Sequence, residues 1–204
     1  MDILEILAVA IPAVLAVTVH EVAHGWMARL CGDPTAAQAG RLSLNPLRHI
    51  DPVGTVLLPL ALKLMGAPFL FGWAKPVPVN WQRLWHLRLG LALVAGAGPL
   101  SNLLMMLGWL LAFLALPKVP LLEGMCWTGV VFNATILTLN LFPIPPLDGS
   151  RIVTALLPGR LAVLYNRLEP FGLALTALLL ATGAFRAVMT PMLHWVQQLA
   201  ALLG

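Results

Sequence analysis

Val19-His20-Glu21-Val22-Ala23-His24 lies inside an apolar run that begins at Ile3, and that placement governs the reading of the whole chain. Positions four apart on an α-helix share a face. His20 and His24 therefore present two imidazoles to one ion, with Glu21 beside them as a base. This is the HExxH pattern of helical zinc sites, set at what reads as bilayer depth. Ionisable groups at that depth are costly and mark function.

The rest of the composition agrees with a membrane setting. The chain has 204 residues, 60% of them hydrophobic and only 10% charged, with a mean hydropathy of +0.90. That is too apolar for an ordinary soluble domain and implies an integral membrane protein. The net charge of +4 is spread between apolar runs, without the dense basic stripe that nucleic acid binding requires. Cys31 and Cys126 are far apart and form no CxxC pattern, so they read as small packing residues. The first apolar run has the length of a secretory signal, but Asp2 and Glu5 stand where basic residues belong, and cleavage would remove the helix that leads into His20.

A span needs about 20 apolar residues. Residues 3–31, 87–116 and 124–141 qualify, and Gly32-Asp33-Pro34, Pro117 and Pro143 end them. Residues 53–71 are apolar but broken by Pro59, Lys63, Gly66 and Pro68. Residues 40–46 read as a short strand or extended loop and residues 73–85 as extended, since proline biases its predecessor away from helix. A final apolar pair covers about 171–184 and 187–203. If residues 53–71 dip into the membrane and return, Arg29, Arg41, Arg48, Lys75, Arg83, Arg88, Arg151, Arg160 and Arg167 share one side, against Lys118 and Arg186. Such a bias marks the cytoplasmic side, whereas a full crossing would leave the two sides nearly equal. The re-entrant reading places the N-terminus outside. The expected fold is an all-α polytopic membrane protein of about four to six membrane segments, with a re-entrant segment and short extended or β loops. It forms one domain over 1–204, with a core of about 3–157 and a helical pair at about 170–203.

Two histidines do not complete a catalytic zinc site, which takes three protein ligands and one open position. Asn140-Leu141-Phe142-Pro143-Ile144-Pro145-Pro146-Leu147-Asp148-Gly149 carries the one acidic residue between Glu123 and Glu169. The re-entrant topology brings it to the side of His20 and His24. With HExxH, this NxxPxPxLDG pattern resembles the site-2 proteases, the intramembrane zinc metalloprotease family. Ala97-Gly98-Pro99-Leu100-Ser101-Asn102 is similar to that family's AGPxxN element. Gly40-Arg41-Leu42-Ser43-Leu44-Asn45-Pro46 and Phe71-Gly72-Trp73-Ala74-Lys75-Pro76-Val77-Pro78-Val79-Asn80 resemble loops of its compact prokaryotic branch. The PDZ and CBS domains of larger relatives have no counterpart in the sequence.

The resemblance implies one Zn2+ per chain on His20, His24 and Asp148, with Glu21 as general base. It also implies that Asn140 and Asn102 donate to an oxyanion or to an unwound substrate backbone. The implied partners are the lipid bilayer and a membrane-spanning protein or signal-peptide-like substrate. The implied location is a prokaryotic plasma membrane, with the site toward the cytoplasm. Two rival readings are a noncatalytic membrane-binding protein, which intact Glu21 opposes, and a metal-ion transporter, which needs more polar residues along successive helices than this chain has. His49, His86 and His194 read as packing or interfacial residues, Trp73, Trp81 and Trp85 as an interfacial belt, and Gly90, Gly96, Gly98 and Gly108 as points of close helix contact.

Overall fold

The computed structural model describes residues 2–66 and 72–203. Helix α1 (Ile3–Leu30) starts on a capping box in which Asp2 accepts from the Glu5 amide and Glu5 accepts from the Asp2 amide. Its 28 residues extend ~42 Å at 1.5 Å per residue, more than a hydrocarbon core of about 30 Å. Leu7, Ile11 and Leu15 lie exposed along it, while Ala16, His20, Gly25 and Ala28 are buried. Small and polar residues thus face protein and large aliphatic ones face outward, the inverse of a water-soluble helix. Gly32, at φ +103°, turns the chain where a side chain would be strained.

After the single turn of α2 (Thr35–Gln38), a π-helical stretch at Pro52–Leu57 leads into α3 (Leu58–Leu64). Pro52–Leu64 is apolar but too short to cross a membrane. The chain then comes back to where it left: the Trp73 amide donates to Gly54 O at 3.2 Å, and the Thr55 hydroxyl donates to Trp73 O at 2.9 Å. Residues 67–71 of the expected re-entrant segment, including Phe71 of the second loop phrase, lie outside the described residues. Residues 73–80 then run as an extended strap, and a 3-10 turn at Trp81–Arg83, which corrects the extended expectation there, leads into α4 (Leu87–Ala115). Among the described residues neither extended segment pairs into a β-ladder.

Helix order fixes the topology. His24 meets Val94 while His20 meets Asn102, so α1 and α4 are antiparallel. Asn102 meets Asn133, and Gly129 faces Trp109, so α5 (Pro120–Leu141) is antiparallel to α4 and parallel to α1. The segment between α1 and α4 therefore begins and ends at the same side, in agreement with the re-entrant expectation. The C-terminal ends of α1 and α5 also share that side.

Next come α6 (Asp148–Leu156), α7 (Gly159–Asn166), α8 (Gly172–Ala181) and α9 (Ala184–Leu203). Among the described residues, the stretches long and apolar enough to cross a membrane are α1, α4, α5 and Gly159–Ala181, which contains α7 and α8. The expected pair at 171–184 and 187–203 corresponds to α8 and α9. Helix α9 packs Met189, Val196 and Ala200 against Met106, Leu110, Val130 and Ala134 of α4 and α5, forming the apolar core below the site.

Glycines divide into two kinds. A Cβ on Gly98 would collide with the His20 and His24 rings, and one on Gly90 would press on Leu84. Gly96 and Gly108 instead have nothing within 4 Å of the Cβ position among the described residues, so the expectation of close helix contact is corrected there: both point away from the neighbouring helices.

Candidate metal centre

His20 and His24 are one helical turn apart, and their Nε2 atoms stand 3.0 Å from each other. Asp148, the first residue of α6, places Oδ2 3.2 Å from each of them. Gly149 makes this approach possible, because a Cβ there would strike Leu141 O at the end of α5. The three expected ligands thus converge from α1 and α6, with their candidate ligand atoms all within 4.8 Å of one another.

The far sides of both imidazoles determine what the near sides are. His20 Nδ1 lies 2.6 Å from Asn102 Oδ1, and His24 Nδ1 lies 2.7 Å from Val94 O. Both partners are acceptors, so both Nδ1 atoms carry the proton and donate. In the neutral rings the two Nε2 atoms then present bare lone pairs, facing a carboxylate oxygen that is buried without a hydrogen-bond donor. Three lone pairs at 3.0 to 3.2 Å repel one another unless a cation sits among them. Two imidazoles and a carboxylate suit zinc, and Nδ1 donation to an oxygen is the usual support for a histidine ligand.

Asn102 is fully buried and fully committed. Its amide donates to Ala16 O at 3.0 Å and to Asn133 Oδ1 at 2.9 Å, while its oxygen takes the His20 proton. Asn133, itself fully buried, donates on to Gly129 O. The relay His20–Asn102–Asn133 ties three helices behind the site. Asn133 was missed in the sequence, although an amide at bilayer depth is the same signal that drew attention to Asn102 and Asn140.

A cleft of about 530 Å³ opens beside these three side chains, walled by Glu21, Asn140 and Arg151 together with Trp73, Pro76, Val77, Trp81 and residues of α5 and α8. Asn140 gives one amide hydrogen to Ile136 O at 3.0 Å and still lines the cleft. Arg151, one turn beyond Asp148 on α6, pairs with Glu169. Trp73 and Trp81 line this cleft, and Trp85 is exposed. Buried His49 donates from Nε2 to Ser43 O at 2.8 Å, and His86 and His194 are exposed. None of these three histidines belongs to the metal group.

The strap reaches Glu21 through one contact: the Val77 amide donates to Glu21 Oε2 at 2.9 Å. Elsewhere it is fastened at Lys75, whose amide donates to His49 O and whose carbonyl accepts from Arg41. At its far end the Asn80 amide donates to Asp33 Oδ2 at 2.6 Å. Asp33 is fully buried and also accepts from the Thr35 amide and hydroxyl. Burial pushes its carboxyl up, but these donors from Thr35 and Asn80, with Arg83 nearby, outweigh that and hold it below the usual carboxylate range.

The chain is similar to proteins whose names mark them as zinc metalloproteases. The chain is 35% identical over 193 residues to YwhC of Bacillus subtilis (strain 168), named as a zinc metalloprotease, covering 90% of this chain and 84% of that one. It is 27% identical over 188 residues to Rip2 of Mycolicibacterium smegmatis, also named as a zinc metalloprotease, covering 89% and 69%. Rip2 of Mycobacterium tuberculosis (H37Rv) is 33% identical over 144 residues, covering 66% of this chain and 51% of that one. No family model matches the chain, and no solved structure matches it.

Proposed function

This chain belongs to the zinc metalloprotease family of YwhC and Rip2, and we propose that it works as an intramembrane endopeptidase of the site-2 class, one membrane-embedded unit that cuts transmembrane or signal-peptide-like segments. The observation that carries this reading is the trio of acceptors on His20, His24 and Asp148, set in a helix long and apolar enough to span a bilayer. When bound there, zinc supplies Lewis acidity, bringing the pKa of a water toward ~7 and polarising a peptide carbonyl.

The chain's own residues do the rest. Glu21 lines the same cleft, accepts a proton from the attacking water and returns it to the nitrogen of the leaving amine. The Val77 amide occupies Oε2 and leaves Oε1 as the working atom. Asn102 positions His20 and has no hydrogen to spare for an oxyanion. Asn140 retains one amide hydrogen for the substrate backbone. A helical substrate already satisfies its own backbone groups, so it must unwind to reach this cleft. The clustering of basic residues on the side shared by the ends of α1 and α5 supports a site opening toward the cytoplasm of a prokaryotic plasma membrane.

The test uses detergent-purified protein and a panel of transmembrane peptides. Wild type is expected to hold about one zinc per chain and to cleave. Glu21→Gln is expected to keep the zinc and lose about 10²- to 10⁴-fold in rate. Asp148→Ala is expected to lose its zinc under mild chelation that wild type withstands. Folded, zinc-loaded wild type that cuts no peptide in the panel overturns the reading.

A further inference from the structure

A second cavity, of about 390 Å³, adjoins the metal cleft and shares Val17, Gly72, Trp73 and Ala74 with it as walls. Its other described walls include Ala13 and Val14 of α1, Pro59 of α3 and Phe132 of α5. Thr18, His49 and Thr55 are its polar side chains: the Thr55 hydroxyl donates to Trp73 O and His49 Nε2–H donates to Ser43 O, while His49 Nδ1 is buried without a partner among the described residues. The walls are otherwise apolar, and the recess lies beside the metal cleft.

Its offset from the metal sets a register. Ala13, Val14 and Val17 stand between three and seven residues before His20 on α1, about 4 to 10 Å along the helix axis at 1.5 Å per residue. An extended peptide advances about 3.3 Å per residue. A strand lying in the cleft along α1, with its scissile carbonyl at the metal, therefore brings the side chain two or three residues away level with the middle and far walls of the recess.

We propose that this recess is a specificity subsite that takes a bulky apolar side chain of the substrate two or three residues from the scissile bond, in the half of the segment lying toward the N-terminal end of α1. The proposal rests on the endopeptidase reading above. The shared walls favour this occupant, because they put the recess next to a chain seated in the metal cleft. An acyl chain of a lipid is the competing occupant.

The experiment takes a transmembrane peptide that wild type cuts and places Ala, Leu or Phe singly at each of the three residues on either side of the cut, mapped by mass spectrometry. Leu or Phe is expected to raise kcat/KM about tenfold or more over Ala at one position two or three residues from the cut, the scale of discrimination an apolar pocket provides. Ala13→Phe, which fills the recess, is expected to erase that preference while the Ala-substituted peptide is cut as before and zinc content is unchanged. Phe132→Ala, which widens it, is expected to extend the preference to Trp. Independently of turnover, a diazirine-bearing leucine at that position is expected to crosslink Glu21→Gln protein at residues 13–17 or 132.

A preference that neither variant alters overturns the subsite and leaves the endopeptidase reading standing. So does crosslinking of those residues by a diazirine lipid that the peptide does not displace. No cleavage of any peptide by zinc-loaded wild type overturns both.

Discussion

Asn102 gives its oxygen to His20 and its two amide hydrogens to Ala16 and Asn133, so its substitution acts on the metal through the imidazole it holds. Asn102→Ala is expected to weaken zinc binding by about 10- to 100-fold, read as zinc retained against a graded chelator, with helix content by circular dichroism unchanged. Asp33 works at the other end of α1. Its carboxyl is held below its unfolded value of ~3.9, so the stability it confers is complete above that value and is lost as pH falls through the lower folded one. Asp33→Asn is expected to lower stability near pH 7 by about 1 to 3 kcal/mol, a gap from wild type that closes as the pH is brought well below 4 in detergent melting curves. Of the residues at this scale, His20, Glu21 and His24 were legible because the helix period alone puts them together, and Asp148 because it is a lone acid in a proline-rich stretch. The task of Asn102 was not legible. Hydrogen-bond partners across helices depend on which face each helix turns inward, and a sequence of nearly uniform apolarity does not encode that face.

Between helices, the contact that brings α4 against the metal ligands is Gly98. Gly98→Ala is expected to reduce zinc occupancy by about tenfold or more, since the added methyl has only the two ligand imidazoles to displace. Gly96→Ala, two residues away with open space at its Cβ position, is expected to retain full zinc and to gain up to about 1 kcal/mol from helix propensity. Zinc stoichiometry and melting of the two variants side by side check both statements. The sequence marked four glycines of α4 as equivalent, and nothing local separates them. The difference arises from the rotation of α4 about its axis, which the i, i+4, i+8 row of Val94, Gly98 and Asn102 fixes against His24 and His20. The strap was legible as extended because its prolines forbid helix. The four acceptors of its backbone amides, on Gly54, His49, Glu21 and Asp33, were not, as each bond joins groups distant in sequence.

At the scale of the whole molecule, charge bias alone indicated that the segment after α1 returns to its starting side, and the antiparallel order of α1, α4 and α5 agrees. The positive-inside rule then makes a sided expectation. With Cys31 and Cys126 replaced, a single cysteine at position 160 should react with a membrane-impermeant thiol reagent only from the cytoplasmic side, and one at position 118 only from the opposite side. The reverse pattern would turn the site toward the exterior and remove the basis for a cytoplasmic release of product. One further consequence concerns how an inactive form of this molecule is made. Pro76 and Pro78 have no amide hydrogen, so the Val77 contact to Glu21 is the sole backbone donor that this part of the strap offers to α1. Truncation to Ala strips that amide of its acceptor and frees the wall of the cleft, so its silence toward substrate mixes lost chemistry with a displaced surface. Gln keeps an oxygen in the same place. A captured complex assembled on the Gln form preserves the working shape of the cleft, and the difference in substrate affinity between the two forms measures how much the strap contributes to holding the peptide.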